Sequence, residues 1–276
     1  MDTLIIPPSQ ECIKKWIQST KIKFNKKVEQ LFYNGYPFAI FIELSELSFE
    51  EQKNILLTRE ITNWEYFYKC LKIKSKNKIN ETITEEFITF FVENSKLAEN
   101  VENLIIYLKA RCSIGVVSNL YTSYKLLIEK FKLNELMDFI VLSCECGIRK
   151  PNRNIFKYVN EYKYKNKFFV GDNWISDIIA ANDNGFTAIF FNKKDIFFNY
   201  LLDNGCAFLL ENKAGKIIVK EKYKENIRKY IPYIKDIKNI SCDYDISIHN
   251  NSKVIINKMG KIKKINKLIE LIELIE

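Results

Sequence analysis

Histidine is nearly missing from this chain. His249 is the only one in 276 residues, and it stands in a polar stretch, so a catalytic triad, a histidine nucleophile and a histidine-built zinc centre are not expected. No apolar run is long enough to span a bilayer, and Met1 to Ser9 has neither the basic start nor the apolar core of a signal peptide. Cysteine occurs at positions 12, 70, 112, 144, 146, 206 and 242, yet without paired metal spacing, and Cys144-x-Cys146 is too tight for an ordinary zinc pair. Reduced thiols in a cytoplasmic protein are the expectation. A concentrated basic footprint is lacking as well. The net charge of +9 comes from lysines spread among Ile, Asn, Tyr and Phe, which resembles the drift of an AT-rich genome and makes nucleic acid an unexpected partner. What is present suffices for a catalytic core and a second unit, with 47% hydrophobic residues.

The chemistry is concentrated between Lys167 and Asn192, KFFVGDNWISDIIAANDNGFTAIFFN. Phe168, Phe169 and Val170 form an apolar run that stops at Gly171-Asp172, and Asp177 follows at the start of the helical pattern Ile178, Ile179, Ala181. A run apolar on both faces predicts a parallel-sheet strand, and ligands collect at the carboxyl ends of such strands. Each aspartate alone reads as a helix cap. Together, two nearby carboxylates repel unless a cation lies between them, and Mg²⁺ prefers such oxygen ligands. A second apolar strand is predicted at Thr187 to Phe191.

Two upstream pieces have the same form. Ser113 to Val117 is a β-rich run ending at Ser118-Asn119, a hydroxyl and an amide able to donate to an anion. After a predicted strand at Phe139 to Leu142 comes Cys146-Gly147-Ile148-Arg149-Lys150-Pro151. Pro151 suits the first turn of a helix from Asn154 to Asn160 and biases Lys150 towards an extended backbone. By itself Lys150 reads as one more solvated lysine.

In the order Ser118, Lys150, Asp172, Asp177, the chain resembles the haloacid dehalogenase-like (HAD) hydrolases that carry a helical cap inserted early in the domain. The matching text is GVVSN at Gly115 to Asn119, DFIVLSCECGIRKPNRNIFKYV at Asp138 to Val159, and VGDNWISDIIAANDNGFTAIF at Val170 to Phe190. The resemblance implies an α/β doubly wound parallel sheet with a helical cap and a C-terminal extension. It further implies that Ser118, with Asn119 beside it, binds phosphate, that Lys150 neutralises nucleophile and phosphoryl charge, and that Asp172 and Asp177 hold Mg²⁺ with Asn173 behind them. The implied activity is Mg²⁺-dependent hydrolysis of a small phosphorylated metabolite through an aspartyl-phosphate. A non-catalytic homologue that binds a phosphorylated ligand or a protein partner is the alternative.

The departure is at the first motif, where the family reads as a strand followed by Asp-x-Asp-x-Thr, nucleophile first and acid/base second. Two alignments stay open. Met1-Asp2-Thr3 resembles the end of that motif, with Asp2 directly before the Thr and both catalytic carboxylates absent. Alternatively Pro37 to Leu47, PFAIFIELSEL, is a buried strand that places Glu43 and Ser45 in the two positions. The first alignment makes residues 5–96 a cap, with helices expected from Ser9 through Ile17, over Phe24 to Tyr33, Trp64 to Leu71 and Thr84 to Val92. It lets Phe38 to Ile42 fill the missing strand. Residues 97–192 form the core and 193–251 an insertion. That insertion holds a hairpin at Phe208 to Lys220 and a helix over Glu221 to Ile240, broken near Pro232. A C-terminal helix over 252–276 is expected to close the core, amphipathic from Lys261 to Glu276 with Ile265, Leu268, Ile269, Ile272 and Ile275 near one face, or else to bind a protein partner. The densest basic stretch, Lys253 to Lys267, is read as a solvated helix face.

Overall fold

Ile5–Ile6 (β1) pairs antiparallel with Lys96–Leu97 (β2), in the register Ile5↔Leu97 and Ile6↔Lys96. The Ala98 N–H donates to the Leu4 carbonyl at 2.8 Å beside them. The chain between β1 and β2 thus leaves and returns at one place, the connection an inserted segment requires. These observations come from a computed structural model, which describes residues 3–160, 166–191, 245–249, 252–257 and 260–265 with Leu268 and Leu271. It comprises two compact units, Met1–Arg149 and Lys150–Glu276.

Five helices occupy the loop closed by β1 and β2: α1 (Gln10–Ser19), α2 (Lys26–Tyr33), α3 (Phe49–Thr58), α4 (Trp64–Cys70) and α5 (Lys78–Asn94). Each starts where a side-chain oxygen takes up a free N–H of the first turn: Ser9, Asn25, Ser48, Asn63 and Asn77. Their apolar stripes meet in two aromatic groups. Trp16 lies 5.3 Å from Phe32 and 4.9 Å from Phe87, and Phe41 lies 5.5 Å from Trp64 and 4.9 Å from Phe67. Such pairs add about 0.5–1.5 kcal/mol each to what burial alone contributes. Four of these helices match the sequence expectation. The fifth, α3, was not expected, although Ser48 and Glu51 form a full capping box at its start.

Phe38 to Ile42 corrects the sequence reading. Ala39–Phe41 is a turn of 3₁₀ helix, not a strand, so this segment neither fills a sheet nor presents Glu43 and Ser45 at a strand end. Phe38, Ala39, Phe41 and Ile42 are all buried among the helices. A short run that is apolar on every side has no period, and it fits a buried helical turn as well as a buried strand.

After β2 come α6 (Val101–Lys109), β3 (Gly115–Ser118), α7 (Leu126–Lys130), α8 (Leu133–Leu136), β4 (Phe139–Leu142) and α9 (Ser143–Cys146). The two strands are parallel, with Ser118 opposite Leu142. Lys130 at the end of α7 donates to the carbonyls of Val92, Glu93 and Ser95, each at 2.8 Å. These carbonyls lie at the C-terminus of α5, where a cation is favoured. Lys130→Met is expected to lower stability by about 1 kcal/mol, read as a drop in the thermal midpoint with no change in helix content by circular dichroism.

In the second unit β5 (Phe168–Gly171) and β6 (Thr187–Phe191) are parallel, as expected. Phe156 is buried against Phe169 and Phe186, at 5.4 and 5.6 Å. The C-terminal reading needs correction. Asp245–His249 (β7), Ser252–Asn257 (β8) and Gly260–Ile265 (β9) are strands, β9 running parallel to β6 and antiparallel to β8. Residues 252–257 and 260–265 are therefore sheet where a helix was expected, and Lys253, Lys261, Lys263 and Lys264 lie on strands. Val254, Ile255 and Ile256 are β-branched neighbours that suit a strand, and Ile265, placed on the apolar face of the expected helix, ends β9. The expected hairpin at Phe208 to Lys220 and helix at Glu221 to Ile240 lie outside the described residues. Among the described residues no helix is long and apolar enough to cross a membrane.

Candidate active site

Gly171 ends β5 and has no side chain for a physical reason. A Cβ built on it falls 2.3 Å from the Asp177 Cβ and 2.6 Å from Asp177 Oδ2, so only glycine lets the next turn fold back against the strand. That turn begins at Asn173, whose carbonyl accepts from both the Asp177 and Ile178 N–H groups at 2.9 and 3.2 Å. The longer of these closes a π-helical turn over Trp174–Ile179. Asn173 Oδ1 caps it by accepting from the Ser176 N–H at 2.9 Å. Asn173 thus caps this turn with its side chain.

Asp177 is only 5% exposed and Lys150 only 7%. Lys150 Nζ donates to Asp177 Oδ1 at 2.5 Å, and the Asn173 N–H donates to Asp177 Oδ2 at 3.0 Å. The ammonium also lies 5.3 Å from the centre of the Phe169 ring. Lys150 is therefore no solvated lysine. It is held by a buried carboxylate and an aromatic face. Asp172, half-buried, follows β5 directly. Arg153 and Asp183 form a further ion pair at 3.2 Å, with Asp183 buried, which no spacing in the sequence announced.

The donor set suits a hard cation. Mg²⁺ is commonly held by one or two carboxylates with water completing its shell. Asp172 and Asp177 supply donors of that type, and each Asp177 oxygen keeps a lone pair beyond the hydrogen bond it accepts. Among the described residues no group of three or more His, Cys, Asp or Glu side chains is placed to hold a metal.

In the first unit Ser118 is the last residue of β3 and fully buried. The turn after it is pinned by the Leu120 N–H, which donates to Ser143 Oγ at 3.0 Å at the start of α9. Asn119 lies in that turn, half-buried. Asp2 lies outside the described residues. Among the predicted site residues, Lys150 and Asp177 are in direct contact and Asn173 braces them.

A sequence model of the haloacid dehalogenase-like hydrolases matches residues 39–191, more than half of the chain. The chain belongs to that family, and with it to the α/β class expected from sequence. It is 26% identical over 115 residues to the pyrimidine 5'-nucleotidase YjjG of Escherichia coli, a match covering 40% of this chain and 51% of that enzyme. It is 25% identical over 166 residues to an uncharacterized hydrolase, C7D4.05, of Schizosaccharomyces pombe, covering 55% of this chain and 72% of that one. The chain thus spans about half the length of the nucleotidase. Among solved structures it is similar to the HAD-hydrolase YfnB of Bacillus subtilis, with a TM-score of 0.47 and 17% identity over 70% of this chain and 86% of that one. A HAD-family enzyme of Bacteroides thetaiotaomicron gives a TM-score of 0.46 and 17% identity over 68% and 88%.

Proposed function

We propose that this member of the HAD hydrolases binds a small phosphorylated metabolite together with Mg²⁺, and that the site is built for phosphoryl transfer. The observation behind this reading is the buried Lys150–Asp177 pair folded against Gly171 at a strand end, with Asp172 beside it. When bound, Mg²⁺ supplies a Lewis acid that offsets charge on phosphoryl oxygens. Lys150 supplies a fixed positive charge, and Asp177 keeps it oriented. Ser118 and Asn119 enter the reading through motif order along the chain, as donors to the phosphoryl oxygens. Hydrolysis also needs a nucleophilic carboxylate, which the first motif does not offer in recognisable form. Nucleoside monophosphates are the first substrate class to test, because one relative is named as a nucleotidase. The unusual first motif, with a 3₁₀ turn at Ala39–Phe41, favours a second reading. In that reading the chain is a non-catalytic homologue that binds a phosphorylated ligand, or a protein partner through residues beyond 192.

The metal site gives the test. A ligand bound only by the native state stabilises it, by about 2.7 kcal/mol at a hundredfold excess over Kd. Adding Mg²⁺ is expected to raise the thermal midpoint of the chain, and Asp172→Asn to abolish that rise. An unchanged Mg²⁺-dependent rise in Asp172→Asn sinks the assignment.

A further inference from the structure

Lys150 and Asp177 are not the only charges that join their two stretches of chain. Three residues past Lys150, Arg153 Nη2 donates to Asp183 Oδ2 at 3.2 Å, and Asp183 stands six residues past Asp177. The burial of this second pair is one-sided. The Asp183 side chain is 5% exposed and that of Arg153 60%, so a carboxylate leaves water for a partner that stays largely in it, and such a pair adds little to stability. The position of Asp183 disfavours an acid as well. It follows the helical turns Trp174–Ile179 and Ala180–Asn182, whose C-terminal end repels negative charge. An acid kept where neither burial nor the helix favours it calls for a role other than stability.

The segment that carries Lys150 is held close by apolar contact. Ile155 and Phe156 are fully buried, and Phe156 lies against Phe169 of β5 and against Phe186. Apolar burial has no direction, so it fixes how near the segment lies and leaves its tilt open. One ion pair adds a pivot, and a second at the other end removes the remaining rotation. Both ends of that second pair start from a fixed backbone. On the basic side Asn152 Oδ1 accepts from the Asn154 N–H at 3.0 Å and starts the 3₁₀ turn Arg153–Phe156. On the acidic side Gly185 takes φ +80°, the Asn184 and Phe186 N–H groups donate to the Ala181 carbonyl, and Asn184 Nδ2 donates to the Ala180 carbonyl at 2.7 Å. The Arg153–Asp183 contact can therefore transmit position from one stretch to the other.

We propose that Asp183 is a positioning residue for Lys150: through Arg153 it fixes the tilt of the Lys150 segment and so keeps the ammonium on Asp177. This rests on the phosphoryl-transfer reading above, and every residue it uses lies in the unit Lys150–Glu276. Without the second pair, Lys150 spends less time on Asp177. Its charge is then less available to a phosphoryl group, and Asp177 Oδ1, which it occupies, is freed for a cation. Loosening thus acts in opposite directions on the two ligands, so that Mg²⁺ gains and the phosphate loses. Loss of the Asp183 charge by itself acts the other way, since an acid taken out of the region weakens a cation and favours an anion. A change that only damages the fold weakens both.

The test is Asp183→Asn, which keeps the shape and removes the charge, followed by calorimetric titration with Mg²⁺ alone and with ribose 5-phosphate at saturating Mg²⁺. Relative to the wild-type chain, Asp183→Asn is expected to bind Mg²⁺ about fivefold tighter and ribose 5-phosphate about fivefold more weakly. Asp183→Glu, which retains a carboxylate for Arg153, is expected to return both affinities towards wild type. Both variants are expected to unfold near the wild-type thermal midpoint, because losing a pair open to solvent on one side costs little. Weaker Mg²⁺ binding by Asp183→Asn, or unchanged affinity for both ligands, overturns the positioning role and spares the phosphate site. A fall in both affinities together with the thermal midpoint also overturns it, since Asp183 then serves the fold alone. A wild-type chain that binds neither ligand overturns both the role and the reading beneath it.

Discussion

Replacing Lys150 by methionine is expected to destabilise the chain by about 3–5 kcal/mol, because it strands the Asp177 carboxylate in a buried place with no countercharge. Asp177→Leu should cost a similar amount by stranding the ammonium. The two oxygens of Asp177 are engaged by Lys150 and by the Asn173 N–H, so each single change also leaves a donor unpaired. The double change Lys150→Met with Asp177→Leu removes both charges together and should cost far less than the sum, since a buried pair replaced by apolar groups of similar size is often close to neutral. Urea unfolding of the four proteins closes this cycle, and a coupling of more than about 2 kcal/mol is expected for groups in direct contact. Near-additive single effects would mean that solvent screens the pair, contrary to its burial. A stable double variant that no longer responds to Mg²⁺ would show that the pair is kept for its charge and not for the fold.

How far the sequence reveals this arrangement depends on how local the information is. β5 and the carboxylates after it were legible because everything they need lies within ten residues: an apolar run, a glycine, two acids at fixed spacing. The N-cap of α1, Ser9, is equally local. What failed has a common cause. Phe38 to Ile42 carries no period, and its conformation was decided by the aromatic side chains that enclose it. Gly260–Ile265 became a strand through pairing with β6 and β8, partners distant in sequence, and tertiary pairing overrides a short helical pattern. The contact of Gly171 with Asp177 could have been suspected from Gly-Asp at a strand end.

The missing first-motif carboxylate sets the second large effect. Deleting a covalent nucleophile removes the chemical step and leaves binding and electrostatic bracing, a loss of about 10⁴-fold or more in turnover. With Ala39–Phe41 in a 3₁₀ turn, Glu43 has no strand to present it, and it sits instead on the surface facing Lys27 at 3.7 Å. Because no Asp-x-Asp-x-Thr string stands in the sequence, the chain is expected to release para-nitrophenol from its phosphate ester at the background rate, with or without Mg²⁺. A variant in which an apolar strand and Asp-x are added ahead of a Met1→Asp change, so that the full Asp-x-Asp-x-Thr string ends at Thr3, is expected to turn over with Mg²⁺. There the added Asp would act as nucleophile, and the Asp in place of Met1 as acid/base. Vigorous Mg²⁺-dependent turnover by the shorter chain, lost in Glu43→Gln, would restore the Pro37 to Leu47 alignment. Turnover by neither version, with ribose 5-phosphate still bound, would establish the non-catalytic reading: Lys150, Asp172 and Asp177 would then hold a phosphate they do not cleave.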